Sequence, residues 1–148
     1  MIKRFIAASI LSFVVMFLLG AVWNTVIMAD FYRVNAPDIL RPLEASEDSF
    51  SLVPIVFGYV VIAFLMTFIV SQNFDQNPKF VGGFMFGATF GISVTLPLYL
   101  ILYGKWDFPY QNIIADTLWH IVEQGMGAVV ICAIIFKDSR SNGKKITP

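Results

Sequence analysis

The sequence predicts an all-α, polytopic membrane protein: a bundle of four transmembrane helices with both termini in the cytoplasm. Hydrophobic residues make up 57% of the 148 residues and charged residues only 14%, whereas a soluble domain carries about a quarter charged residues. The apolar residues form four blocks, each long enough for the roughly 20 helical residues that cross a bilayer core. Alternating segments of about ten residues, typical of transmembrane barrels, do not occur in the sequence.

The four predicted spans cover residues 5–28, 52–70, 80–103 and 113–136. Because short connections join them, residues 1–136 are expected to form a single transmembrane domain. Residues 137–148 are polar and basic and are predicted to be a cytoplasmic tail. The connections are too small to hold a soluble catalytic domain, which favours a non-enzymatic protein.

The first two spans are separated by the longest connection, residues 29–51, in which acidic residues outnumber basic ones. Lys3 and Arg4 precede span one, and Asn24 lies near its far end. Acidic residues also stand just before span two, where the partial positive charge of a helix N-terminus favours them. Pro54 lies in the first turn of that span and is a typical start signal.

Span three carries a ridge of small residues. Gly83, Gly87, Gly91 and Thr95 recur every four residues, a pattern that lets another helix approach closely. The partner is expected to be a helix of the same chain, with homodimerisation as the alternative. Pro97 follows two residues later and predicts a kink in this helix.

Span four carries the candidate site. At about 100° per residue, Asp116, His120, Glu123 and Gln124 fall on one narrow face of an otherwise apolar helix. Burying one such acid at the bilayer centre costs roughly 2.5–3.5 kcal/mol, so these groups need partners or water. We therefore treat them as candidate ligand-binding or proton-binding residues, together with Asn24 of span one.

Three interpretations of this face remain open. In the first it is structural: Glu123 is protonated or hydrogen-bonded to a neighbouring helix, with Asn24, Thr25 or Thr95 as partner, and His120 is a bridge. In the second it lines a water-filled outer vestibule that binds a small ligand or relays protons. In the third Asp116, His120 and Glu123 bind a metal ion. The metal signal is weak even for His120 and Glu123, because a usable site draws on more than one helix.

Basic residues predict the orientation. Seven of the ten lie on the side of the two termini: Lys3, Arg4, Lys79, Lys137, Arg140, Lys144 and Lys145. By the positive-inside rule this side is cytoplasmic. The three tryptophans, Trp23, Trp106 and Trp119, then fall near the outer interface. We expect a multi-pass protein of the cell inner (plasma) membrane with its long acidic first loop outside.

The sequence also bounds the function. It contains no G-x-S-x-G elbow, H-E-x-x-H pair, Walker loop or dinucleotide fingerprint, so an enzyme is not expected. The formal net charge is zero, which argues against a nucleic-acid partner. No cofactor can be assigned. The expected partners are the lipid bilayer and either another protein of a larger membrane complex or a second copy of the chain.

Three strings carry a resemblance to other proteins. They are Ala29-Asp30-Phe31-Tyr32 after span one, Gly82-Gly83-x-x-x-Gly87 in span three, and Asp116-x-x-x-His120 leading to Gly125-x-Gly127 in span four. Together they resemble the small four-span bacterial membrane proteins of unknown function. The resemblance implies a four-helix bundle in a bacterial inner membrane and brings no catalytic residue with it.

Two function classes follow. The leading hypothesis is a non-enzymatic integral membrane protein that serves as an accessory subunit of a membrane complex or as a small bundle that binds lipid or another ligand. The alternative is a small transporter or proton-coupled protein that uses the face of Asp116, His120 and Glu123.

Overall fold

The computed structural model describes residues 2–35, 52–74, 78–105 and 109–137. These residues form five α-helices and one short π-helical segment, and they contain no strand. In chain order the elements are α1 (Ile2–Val22), the π-helical segment (Trp23–Ile27), α2 (Ala29–Asn35), α3 (Leu52–Asn73), α4 (Lys79–Lys105) and α5 (Tyr110–Ile135).

Four of these helices are long and apolar enough to cross a membrane, which confirms the predicted all-α, four-span class. The first span runs from Ile2 to Ile27 because the π-helical segment continues α1 without a break. Pro97 lies inside α4, which continues to Lys105. Trp106 and residues 36–51 and 138–148, on which several sequence predictions rest, lie outside the described residues.

The short helix α2 differs from the sequence prediction, which treated residues 29–51 as a connection. Residues 29–35 are helical, with Asp30 in the first turn and Arg33 in the last, and the two side chains form an exposed ion pair of 3.4 Å. Tyr32, only 6% exposed, anchors this helix to the bundle. The sequence pattern missed α2 because a seven-residue helix is too short to produce a recognisable apolar period.

Helix α5 is the centre of the bundle. It packs against α1, α3 and α4, and α1 also packs against α3. Accordingly, 39% of the most apolar 18-residue stretch of α5 is buried inside the protein, compared with 22% of the corresponding stretch in each of the other three spans. The predicted polar face therefore belongs to the helix that the other three surround.

The small-residue ridge of α4 lies against α5. A Cβ atom added at Gly83 would lie 3.2 Å from Cys132 Sγ, and one at Gly91 would lie 2.6 Å from the carbonyl oxygen of His120. At Gly87 it would overlap the backbone of Gln124. Thr95 is buried at the continuation of the ridge. The ridge is thus covered by a helix of the same chain, and a second copy would have to displace α5 to use it.

The two ends of the bundle differ in character. We call the end that holds the start of α1, the start of α4 and the last residues of α5 the basic end, because Lys3, Arg4, Lys79 and Lys137 belong to it. The opposite end, which we call the aromatic end, holds the π-helical segment, α2, the last turns of α4 and the first turns of α5. The candidate face of α5 begins at the aromatic end and runs into the bundle.

Candidate functional site

The first part of the site is a set of hydrogen bonds around Asp116, which we call the Asp116 cluster. The Tyr32 hydroxyl donates to Oδ1 of Asp116, and the Tyr99 hydroxyl donates to Oδ2 over 3.1 Å. Trp23 Nε1 donates in turn to the Tyr32 oxygen over 3.1 Å. One carboxyl group therefore ties α5 to α2, to α4 and, through Tyr32, to the π-helical segment.

Tyr32 is held as a hydrogen-bond donor in this cluster. Burial raises the pKa of its phenol above the ordinary value, and the hydrogen bond to the Asp116 carboxyl raises that pKa further. An ordinary tyrosine already has a pKa of about 10. The hydroxyl consequently keeps its proton throughout the physiological pH range and can donate it to Asp116.

A tryptophan pair closes the aromatic end. The rings of Trp23 and Trp119 stack with centroids 4.4 Å apart and planes 5° from parallel. Such pairs contribute about 0.5–1.5 kcal/mol beyond the area they bury. The stack fixes the π-helical segment to α5 beside the Asp116 cluster. π-Helical bulges of this kind are frequent at functional sites.

The second part of the site lies two turns deeper and consists of Tyr59, His120 and Glu123, which we call the Glu123 cluster. Glu123 is fully buried. Its Oε1 accepts a hydrogen bond of 2.7 Å from the Tyr59 hydroxyl of α3, and its Oε2 lies 2.8 Å from His120 Nδ1. His120 is the partly exposed member, with 23% of its side chain accessible.

Helix α1 completes the enclosure of Glu123 at Gly20. A Cβ atom there would lie 2.6 Å from Glu123 Oε1 and closer still to the Tyr59 hydroxyl. The absence of a side chain at this position lets α1 approach the buried carboxyl group directly. Three helices therefore meet at Glu123: α1 through Gly20, α3 through Tyr59, and α5 itself.

The His120–Glu123 contact sets the proton content of the cluster. At 2.8 Å one proton lies between Nδ1 and Oε2. If His120 Nε2 carries no proton, the pair has a net charge of −1. A second proton on the pair brings the net charge to zero. These two states differ by one proton. The low-dielectric interior of the bundle disfavours the state with a net charge.

The chain matches the family described as "Predicted membrane protein (DUF2177)" over residues 5–133. It belongs to that family. The matched range contains every residue of the Asp116 and Glu123 clusters. No curated protein and no solved structure matches the chain.

Membership of the DUF2177 family confirms the resemblance to membrane proteins of unknown function. Together with the four apolar helices it establishes a multi-pass membrane protein lying in the lipid bilayer. Family membership assigns no reaction, ligand or partner to this chain. The bacterial source and the inner membrane stay predictions.

Two residues predicted for the site, Asn24 and Gln124, belong to neither cluster. Asn24 Nδ2 donates to the Gly20 carbonyl oxygen of its own helix over 2.8 Å, and the partner that the sequence analysis sought for Glu123 is instead Tyr59. Gln124 is buried beside the cluster at 2% exposure, and its Oε1 has no hydrogen-bond partner among the described residues. Buried water is the usual partner of such an atom.

The metal interpretation finds no support in the described parts of the chain. They contain no group of three or more His, Cys, Asp or Glu side chains placed to hold a metal ion. Asp116 bonds to two tyrosines, whereas His120 and Glu123 bond to each other. The predicted three-residue ligand set is therefore divided between two clusters.

The sequence patterns did not identify the three tyrosines of the two clusters, Tyr32, Tyr59 and Tyr99. Tyr59 and Tyr99 each lie within an apolar span, and Tyr32 lies in a segment treated as a connection. A hydroxyl in the middle of a span was the available signal for Tyr59, because a polar atom at that depth needs a partner. Its partner is 64 residues away in sequence, so no local pattern identifies it.

Proposed function

We propose that this chain is a non-enzymatic, proton-coupled membrane protein in which the His120–Glu123 pair takes up and releases one proton. The observation that carries the proposal is the fully buried Glu123 carboxyl, whose Oε2 lies 2.8 Å from His120 Nδ1. Ionisable groups inside membrane spans are costly and commonly mark proton relays or ligand sites. Histidine is also the side chain that most readily changes charge near neutral pH.

Protons reach the pair from the aromatic end. His120 is partly exposed and interacts electrostatically with Asp116, one helical turn nearer that end. Asp116, His120 and Glu123 thus form a file of titratable groups about 10 Å long on one face of α5. In the described residues beyond Glu123, toward the basic end, the buried polar side chains include Ser12 and Thr67, whose hydroxyls hydrogen-bond to carbonyl oxygens. The file therefore supports proton exchange with one side rather than conduction across the bilayer.

The orientation of the proton site is part of the proposal. The excess of basic residues at the basic end favours that end as the cytoplasmic one. The aromatic end then faces the outside of the inner (plasma) membrane, and the pair responds to external pH.

Proton exchange is coupled to helix packing because three helices meet at Glu123. Loss of the proton leaves a net negative charge between α1, α3 and α5, which low dielectric penalises. Movement of α1 away from Glu123, which it approaches at Gly20, would admit water and lower the free-energy cost of this charge. Such a movement can open a solute path in a transporter or change a docking surface in an accessory subunit, and both of those hypotheses stay predictions.

The test uses the fact that the chain contains one histidine. Protein carrying ¹⁵N-labelled histidine and a tag without histidine would be reconstituted in lipid nanodiscs. The two imidazole nitrogen signals would then be followed by NMR across a wide pH range. Across this range we expect two coupled steps, one between net charges of −1 and 0 and a second, at lower pH, between 0 and +1. The protons of an interacting pair come off in macroscopic steps that belong to both groups.

Glu123→Gln is the decisive variant, and Asp30→Asn is its control. The first removes the titrating carboxyl but keeps its size and polarity, so the histidine signal should titrate in one step. The control removes an equal charge at an exposed position of α2, where the carboxyl is 93% accessible, and should leave both steps unchanged. A histidine signal that does not respond to pH in the native chain would refute the proposal and leave a structural cluster.

A further inference from the structure

A groove of about 680 Å³ lies at the basic end, where α1, α3 and α5 diverge. It is far from both site clusters, since its walls come from the first residues of α1 and the last residues of α3 and α5. Its volume is within the range of about 300–1,000 Å³ that is usual for small-molecule sites. The groove reaches the outer surface of the bundle, where Phe68 is 48% exposed.

The floor of the groove is apolar and aromatic. Phe5, Phe68, Phe74 and Phe136 line it, together with Ile135. Since the surrounding helices cross a bilayer, the surface outside this floor faces hydrocarbon rather than water. An acyl chain is the occupant that matches such a floor.

The rim of the groove is polar and positive. Arg4 lines it from α1, and Ser71 and Gln72 line it from the last turn of α3. None of the described lining residues is acidic. Arginine has five N–H donors, so its guanidinium can contact a phosphate oxygen while it keeps another partner.

We propose that this groove binds one anionic phospholipid, with an acyl chain against the phenylalanine floor and the phosphate at Arg4. The apolar floor alone fits any lipid of the bilayer. The positive rim selects a lipid with net negative charge, because a basic residue near a membrane surface attracts anionic head groups. The site is independent of the proton-coupled function, since it shares no residue with the Asp116 or Glu123 cluster.

The full chain in mild detergent would be titrated with dioleoyl phosphatidylglycerol or dioleoyl phosphatidylcholine, and bound lipid would be counted by native mass spectrometry. We expect one phosphatidylglycerol per chain, bound at least about fivefold more tightly than phosphatidylcholine. Equal affinity for the two lipids would overturn the proposal and leave a general bilayer contact. A second copy of the chain in place of lipid would also overturn it.

Two variants separate the rim from the floor. Arg4→Gln should weaken phosphatidylglycerol binding about fivefold. Phosphatidylcholine binding should weaken less, because the choline ammonium already offsets the charge of its phosphate. Arg33→Gln removes the same charge at the aromatic end, where the side chain is 80% exposed, and should change neither. Equal losses in both variants would reveal an effect of net charge alone and contradict the site.

Ser71→Phe tests the groove without altering charge. The added ring should fill space between the rim and the floor and lower the affinity for phosphatidylglycerol. Ser93→Phe, at an exposed position of α4 outside the groove, is the matched control. If the two variants bind the lipid equally well, the lipid lies elsewhere on the protein.

Discussion

Asp116 and Glu123 lie on the same face of α5 and both accept a hydrogen bond from a tyrosine hydroxyl, but their surroundings differ. Asp116 lies near the aromatic end and has Tyr32 and Tyr99 as partners, one for each carboxylate oxygen. Glu123 lies about 10 Å deeper at 1.5 Å per residue, is fully buried, and has Tyr59 and His120 as partners.

The difference lies in the second partner. Asp116 accepts hydrogen bonds from two tyrosine hydroxyls, which keep their protons near neutral pH. Its cluster therefore joins the ends of the helices that carry these residues. His120 gives Glu123 a partner that can itself gain or lose a proton. Under the proposed function, the same carboxyl–tyrosine contact holds helix ends together at one depth and belongs to a proton-exchanging pair at the other. This comparison can be tested by changing each cluster separately.

The largest effect is expected from Glu123→Ala. The variant removes the fully buried carboxyl and leaves two partly buried side chains, His120 and Tyr59, without their partner. Removal of one member of a buried pair typically costs about 3–5 kcal/mol. Asp116→Ala should cost less, about 1–3 kcal/mol, because the Asp116 side chain is only partly buried, whereas Glu123 is fully buried. Denaturant unfolding in mild detergent would measure both free energies of unfolding. Equal losses would contradict the difference in depth between the two clusters.

Gly20→Ala should have the next largest effect and should act on the Glu123 cluster alone. The new methyl group would lie 2.6 Å from Glu123 Oε1 and closer still to the Tyr59 hydroxyl, so either these side chains or α1 must shift. Overpacking of this kind costs about 1–3 kcal/mol. Gly58→Ala on α3 is the matched control, because no atom lies within 4 Å of its added Cβ. Thermal unfolding should show a loss for the first variant and none for the second. An equal change in thermal stability for both variants would contradict the close contact of Gly20 with the Glu123 cluster.

The smallest effect is expected from Tyr99→Phe. Asp116 keeps its hydrogen bond from Tyr32 when the Tyr99 hydroxyl is lost, so the cost should be about 0.5–1.5 kcal/mol. Tyr103→Phe changes the same group one turn later, where the side chain is exposed, and should be neutral. The histidine NMR titration should be unchanged in both variants. A changed titration in Tyr99→Phe would mean that the two clusters act as one.

The sequence predicted the helical content and the four spans because both depend on local patterns. An apolar block of about 20 residues can satisfy its backbone in a bilayer only as a helix. The polar face of α5 was likewise predictable, since Asp116, His120 and Glu123 follow from helical periodicity alone. Helix α2 was missed because its stability depends on the burial of Tyr32 against α5 rather than on its own seven residues.

Local sequence patterns are therefore enough to predict a four-span membrane bundle with one polar face on its last span. How that face divides into two clusters depends on tertiary packing, because the hydrogen-bond partners come from other helices. Tyr59 is 64 residues from Glu123, and Tyr32 is 84 residues from Asp116. Helical periodicity fixes the direction of each side chain around its own axis, whereas the identity of the group it meets depends on how closely the helices pack. Glycines such as Gly20 and Gly87 allow that close packing.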